Sequence, residues 1–398
     1  MKKWIDFSVD ASSWAAVSRA VPGTFPTGTC SFCFPLSEVL LIIGLVTIPG
    51  SASGISLAEY WAWLRYFSCV DDGRKLALNA FCNELDSHQK TILSDDFGMG
   101  FAFYCMKELL EFEEFCDGAY FEKRLLRKLG GHYIGKVAKS GARKTPDFVC
   151  KSYGPDFYHQ IECKGTQSSY SALNKQIQAG MTQIKNMSFP AAVSGERIVV
   201  GTLVECSGKD HDSKIVVADP EWQAELVLSE QDLPIADDAL VRGMVGKLLC
   251  AAGLPSTSSV IMDPDGGVDY AERLDLPDSH VDSLRRQASK RKENAVTELR
   301  RGSMQQFSIG SGVFMGREAV INFNLPVIVN GLEFSSAIIR QGVEKSAING
   351  ISINDIDSED IGKSCPGLRR NGKITSKSEN GFSELRIGGN FYSSLELI

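Results

Sequence analysis

TPDFVCKSYGPDFYHQIECKGT, residues 145–166, is the stretch whose reading decides the fold. Two runs rich in aromatic and β-branched residues flank Tyr153-Gly154-Pro155-Asp156. That pattern predicts two antiparallel strands joined by a tight connection. A turn centred on Gly154-Pro155 sets Asp147 opposite Glu162, with Cβ atoms about 5 Å apart. Lys164 lies two residues beyond Glu162 and so projects from the same face. Like charges directly opposed destabilise a sheet, so two carboxylates placed this way are either solvated or share a cation. Hard oxygen ligands at this spacing suit Mg²⁺ or Mn²⁺. A lysine beside them stabilises negative charge or helps to activate a water.

Working outward, a short strand is expected over His132–Lys139, before the hairpin strands Asp147–Tyr153 and Phe157–Lys164. Phe101–Leu129 reads as one or two helices, broken near Asp117-Gly118 and closed by Gly130-Gly131. After the hairpin come a helix over Ser171–Met187 and a continuous apolar strand over Arg197–Glu205, as a buried strand requires. Lys214–Ala218 is a further short strand. The expected order is helix, three strands, helix, strand.

The flanks are less explicit. Residues 1–100 read as a mostly helical N-terminal region, with a loop-rich Ala16–Pro35 and an aromatic-dense Leu57–Phe67 packed into a core. The apolar run Val39–Ile48 is too short for a membrane span, which needs about 20 residues. It is read as buried, and no membrane partner is expected. Residues 221–398 form an α+β C-terminal region. Asp237–Ala252 and Val281–Arg301 are helical, Pro255–Gly267 is loop-like, and the chain ends in a hairpin. The expected organisation is therefore 1–100, 101–220 and 221–398, an α/β protein overall.

With 398 residues, 43% apolar and 23% charged, this is an ordinary globular composition. A net charge of −7 means that any nucleic-acid contact must come from a local basic surface. The 11 cysteines are scattered, with only Cys30 and Cys33 spaced as C-x-x-C. They point to buried thiols in a reducing cytoplasm rather than a disulfide framework. No Walker A motif and no dinucleotide glycine fingerprint is present.

P-D on the second strand and E-x-K on the third, in this element order, resembles the PD-(D/E)xK nuclease superfamily of restriction-endonuclease type. The resemblance covers residues 117–206. It implies a core of helix, three-stranded antiparallel meander, helix and strand. It also implies that Asp147, Glu162 and the main-chain carbonyl of Cys163 bind Mg²⁺ or Mn²⁺, and that Lys164 polarises the attacking water. An acidic residue on the helix before the first strand is expected to complete the site. Glu122 occupies that place, with Glu114 as the alternative. Lys175, Gln178 and Gln183 are candidates on the following helix.

Eight basic residues lie between 122 and 144, against Glu122 alone. Among them Lys123, Arg127, Lys136, Lys139, Arg143 and Lys144 are expected to face a polyanion. A second basic stretch, Arg285–Arg301, reads as a charged helix or a second contact. The expected function is metal-dependent hydrolysis of DNA phosphodiesters, with RNA also open. The setting would be a restriction enzyme or anti-phage effector, homo-oligomeric or within a multi-protein complex. The alternative is a nucleic-acid-binding or assembly protein on the same fold that does not cut.

Overall fold

A seven-stranded mixed sheet occupies the first 218 residues of the computed structural model. The described residues are 1–48, 64, 66–129, 145–154, 156–184, 187–209, 211–219, 226–300, 304–329, 331–356, 361–368, 373–379 and 381–398. The strands are β1 (Lys2–Val9), β2 (Thr29–Pro35), β3 (Phe112–Asp117), β4 (Phe148–Ser152), β5 (Phe157–Thr166), β6 (Ser194–Leu203) and β7 (Lys214–Ala218). Their spatial order is β2-β1-β7-β6-β5-β4-β3. The fold is mixed α/β.

The hairpin has the predicted register. Phe148 stands opposite Ile161 and Val149 opposite Gln160. Continued by one residue, this register sets Asp147 against Glu162. Gly154 turns the chain with φ +78°, a left-handed conformation in which glycine has no Cβ penalty. Strand β5 then runs parallel to β6, with Glu162 beside Val199. Parallel neighbours require a crossover, and helix Tyr170–Gln183 supplies it.

Other expectations are corrected. The N-terminal region is not helical throughout: β1 and β2 belong to the same sheet as the hairpin, with β1 parallel to β7. Residues 1–100 and 101–220 thus share one sheet. Part of the expected loop Ala16–Pro35 is β2. The stretch expected to be helical up to Leu129 contains β3, which pairs with β4. Phe112 and Phe115 are three apart, as on a helix face. A register shift between Phe112 and Glu114 changes the phase of the strand there. Both rings then pack edge-on against Phe103, at 5.1 and 4.7 Å. The expected strand His132–Lys139 lies outside the described residues. Pro255–Met262 is a helix rather than a loop.

Helices cover both faces. On one side lie α1 (Leu36–Val46) and α2 (Ser87–Leu110), packed with Ile161, Cys163, Ile198 and Val200 into the main core. Every residue of α1 is buried, as its apolar run predicts. No described helix is long and apolar enough to cross a membrane. On the other side, α3 (Gly118–Leu129) follows β3, and α4 (Tyr170–Gln183) packs Leu173 and Ile177 against Val199 and Leu203. Helix α5 (Leu233–Ala251) packs on α3 and β3, α6 (Pro255–Met262) packs on α5, and α7 (Asp278–Arg300) packs on α6, with residues of all three reaching the main core. A six-stranded antiparallel sheet built from residues 305–397 packs on α1.

Candidate active site

Asp147 immediately precedes β4, and its carboxylate turns across the hairpin. Its Oδ2 accepts a hydrogen bond from the backbone N–H of Cys163 at 2.7 Å. Its own carbonyl accepts from Gly118 N–H at 3.0 Å, so the start of α3 is held against it. Burial raises the Asp147 carboxyl above its ordinary range, opposed by the Cys163 N–H and by the Lys164 charge.

Glu162 is 1% exposed, in the interior of β5. Burial, followed by the Asp147 charge, pushes its carboxyl up to about 7. Lys164 Nζ donates to Glu162 Oε1 at 2.5 Å. Glu162 Oε2 is buried with no hydrogen-bond partner among the described residues. Two carboxylates and an ammonium therefore meet on one face of the hairpin, as the register requires. The Cys163 thiol points the other way, into the core, and burial holds it well above the ordinary thiol range. Cys163 could contribute only its main-chain carbonyl to a cation.

Helix α4 closes over this face at Gly180. A Cβ there would lie 3.2 Å from both Glu162 Cγ and Lys164 Cε. Helix α2 approaches from the far side at a second glycine contact. A Cβ on Gly98 would lie 2.9 Å from Gly165 N, and one on Gly165 would run into the Ser94 carbonyl. This close approach places Asp95 within electrostatic reach of the site. Burial raises the Asp95 carboxyl while Lys164 lowers it, and Asp95 in turn raises Asp147. Asp117, at the end of β3, acts on Asp147 in the same direction.

Glu122 lies on α3, which follows the first meander strand instead of preceding it. Glu122 is buried there. Glu114 lies on β3 opposite Lys151, among the residues of the meander. Asp95, one of three acids on the helix before that strand with Asp96 and Glu108, is a charge acting on Asp147. Its sequence signal was Gly98 and Gly100 inside a helix, which marks close packing.

On α4, Lys175 and Gln178 are exposed, and the Gln183 side chain lies outside the described residues. Gln176 was not among the candidates. It sits one turn before Gly180 on the same helix face, half-buried, with Oε1 lacking a partner among the described residues.

The basic surround is more neutralised than the sequence implies. Arg127 pairs with Asp263 at 2.8 Å, Arg124 with Asp238 at 3.4 Å, and Lys128 with Asp269 at 3.5 Å. Lys123 is exposed. Lys136, Lys139, Arg143 and Lys144 lie outside the described residues. Among the described residues, no three His, Cys, Asp or Glu side chains are grouped to hold a metal ion. The available donor set is two carboxylates and a carbonyl, which suits a cation that keeps several waters. No family model, no curated protein and no solved structure matches the chain.

Proposed function

We propose that the chain is a metal-dependent nuclease that hydrolyses phosphodiester bonds, with a core of restriction-endonuclease type. The observation that carries this reading is the meeting of Asp147, Glu162 and Lys164 on one face of the β4–β5 hairpin. The surrounding connectivity supports it: α2, then the β3-β4-β5 antiparallel meander, then α4 and the parallel strand β6. Helix α3 is an insertion between the first two meander strands.

Asp147, Glu162 and the Cys163 carbonyl would hold Mg²⁺ or Mn²⁺. The unpartnered Glu162 Oε2 and two carboxyls raised by burial fit that role, since a cation offsets both burial and mutual repulsion. When bound, the metal supplies Lewis acidity toward the phosphate and a water of lowered pKa. Lys164 adds positive charge where the transition state gains negative charge. Asp95 adds a negative charge within electrostatic reach of Lys164 and Asp147. The Cys163 N–H holds Asp147 in place.

The test is cleavage of supercoiled DNA, single-stranded DNA and RNA with Mg²⁺ or Mn²⁺, against EDTA. Metal-dependent cutting that disappears in Asp147→Ala and Lys164→Ala is expected. Full activity in both variants overturns the assignment. Binding unaffected by EDTA, with no cutting by the wild type, identifies a nucleic-acid-binding protein instead.

A further inference from the structure

A cleft of about 460 Å³ lies between α3 and the pair α6–α7, lined by Tyr120, Met262 and four cationic side chains: Lys123, Arg124, Arg127 and Arg291. It opens beside the candidate active site, because its wall includes Asp117, one of the charges acting on Asp147. The volume is that of a small-molecule site, which ordinarily combines apolar walls with a few convergent polar groups.

The cleft is built rather than incidental. Tyr120 Oη donates to the Met262 carbonyl at 2.9 Å, tying α3 to the end of α6. Arg291 Nη2 donates to the Asp263 carbonyl at 2.8 Å, tying α7 to the same segment. Arg127 Nη1 pairs with Asp263 Oδ2 at 2.8 Å. Two lining side chains nevertheless carry a buried polar atom with no partner among the described residues. These are Arg124 Nε, a donor on a side chain 5% exposed, and Asp263 Oδ1, an acceptor. Buried unpaired groups of this kind are costly and call for a complementary partner. A simple anion would answer Arg124 alone. Answering both takes a ligand with an anionic acceptor and a hydroxyl or amino donor.

We propose that this cleft binds one phosphate-bearing nucleotide. Lys123, with the Arg124 and Arg291 guanidinium groups, receives the phosphate, which planar Arg forks match well. Tyr120 and Met262 give the base an apolar wall, and Asp263 accepts from a sugar hydroxyl or base amino group. The nucleotide is either free or part of a strand whose neighbouring phosphodiester lies at Asp147 and Glu162. The second source rests on the nuclease reading; the first does not.

Calorimetric titration in EDTA separates these sources, using AMP and ATP in one arm and a short single-stranded oligonucleotide in the other. Two variants test the cleft. Ala119→Trp fills it from an exposed lining position at the first turn of α3, and Lys123→Glu reverses an exposed charge. Mononucleotide binding weakened at least about tenfold by both variants establishes a free-nucleotide site. Oligonucleotide binding weakened similarly, with no mononucleotide binding, establishes the strand-borne form. Unchanged affinity in both variants, with native circular dichroism, overturns the proposal. Because EDTA suppresses metal-dependent cutting, this outcome is independent of whether the protein cleaves.

Discussion

The Asp147 carboxylate accepts the backbone N–H of Cys163 across the hairpin, at 2.7 Å. This bond fixes Asp147 against the strand that carries Glu162 and Lys164. It also makes the side chain a structural clamp as well as a candidate ligand. Asp147→Asn preserves one oxygen to accept that bond and removes the charge. It is expected to fold normally, to bind DNA, and to cut on the order of a thousandfold more slowly. Circular dichroism with a nicking assay checks this.

On the proposed nuclease reading, Glu162 gives cleavage a pH signature. Its carboxyl, held near 7 by burial and by Asp147, must ionise to hold a cation. Cleavage at limiting Mg²⁺ should rise with pH through about 7 and fall about tenfold per unit below it. Raising the metal concentration should move the midpoint to lower pH. A rate profile at two metal concentrations decides this, and a midpoint indifferent to metal would count against Glu162 as a ligand.

Asp95 lies within electrostatic reach of Lys164 and Asp147. On the proposed nuclease reading, Asp95→Asn should lower cutting roughly ten- to hundredfold, as loss of an outer-shell carboxylate does, with the pH midpoint displaced. Glu122→Gln should leave the pH midpoint where it is. Comparing the two profiles tests whether the acid before β3 or the acid after it belongs to the site.

Gly165 is a packing requirement. A Cβ there meets the Ser94 carbonyl and lies 3.2 Å from Asp95 N, which are backbone atoms with no rotamer to yield. Gly165→Ala should destabilise the fold on the order of 3 kcal/mol, read by chemical denaturation. It should also reduce activity more than Gly154→Ala, whose Cβ meets nothing within 4 Å.

His159 gives stability its own pH dependence. Nδ1 accepts the Glu196 N–H at 2.9 Å, and Nε2 lies 3.1 Å from Ser152 Oγ. Burial lowers its pKa from 6.5 to about 4. The unfolded chain therefore takes the proton first, and stability falls as pH drops from about 6.5 to about 4. The wild type's advantage over His159→Gln should shrink by on the order of 3 kcal/mol across that window. Denaturant titrations at several pH values measure it.

Local order was legible where local chemistry decides it. The β4–β5 register follows from the Gly154 turn and the two-residue period of a strand, so Glu162 and Lys164 had to share a face. Helices α5 and α7 followed from helical spacing, and the burial of α1 followed from its apolar run. Strand β3 was missed because two glutamates and an i, i+3 phenylalanine pair imitate a helix, and only the irregular pairing with β4 reverses that reading.

By itself, then, the sequence determined the hairpin and the triplet Asp147, Glu162 and Lys164, because those residues are brought together by a turn. The tertiary structure alone decided which distant groups join them. Asp95 reaches the site through the Gly98–Gly165 contact. Arg127 is claimed by Asp263, 136 residues away, and is no longer a free basic charge. Strand β1 enters the sheet beside β7, over 200 residues along the chain. Such pairings depend on loop closures and on packing between whole layers, and no local spacing records them.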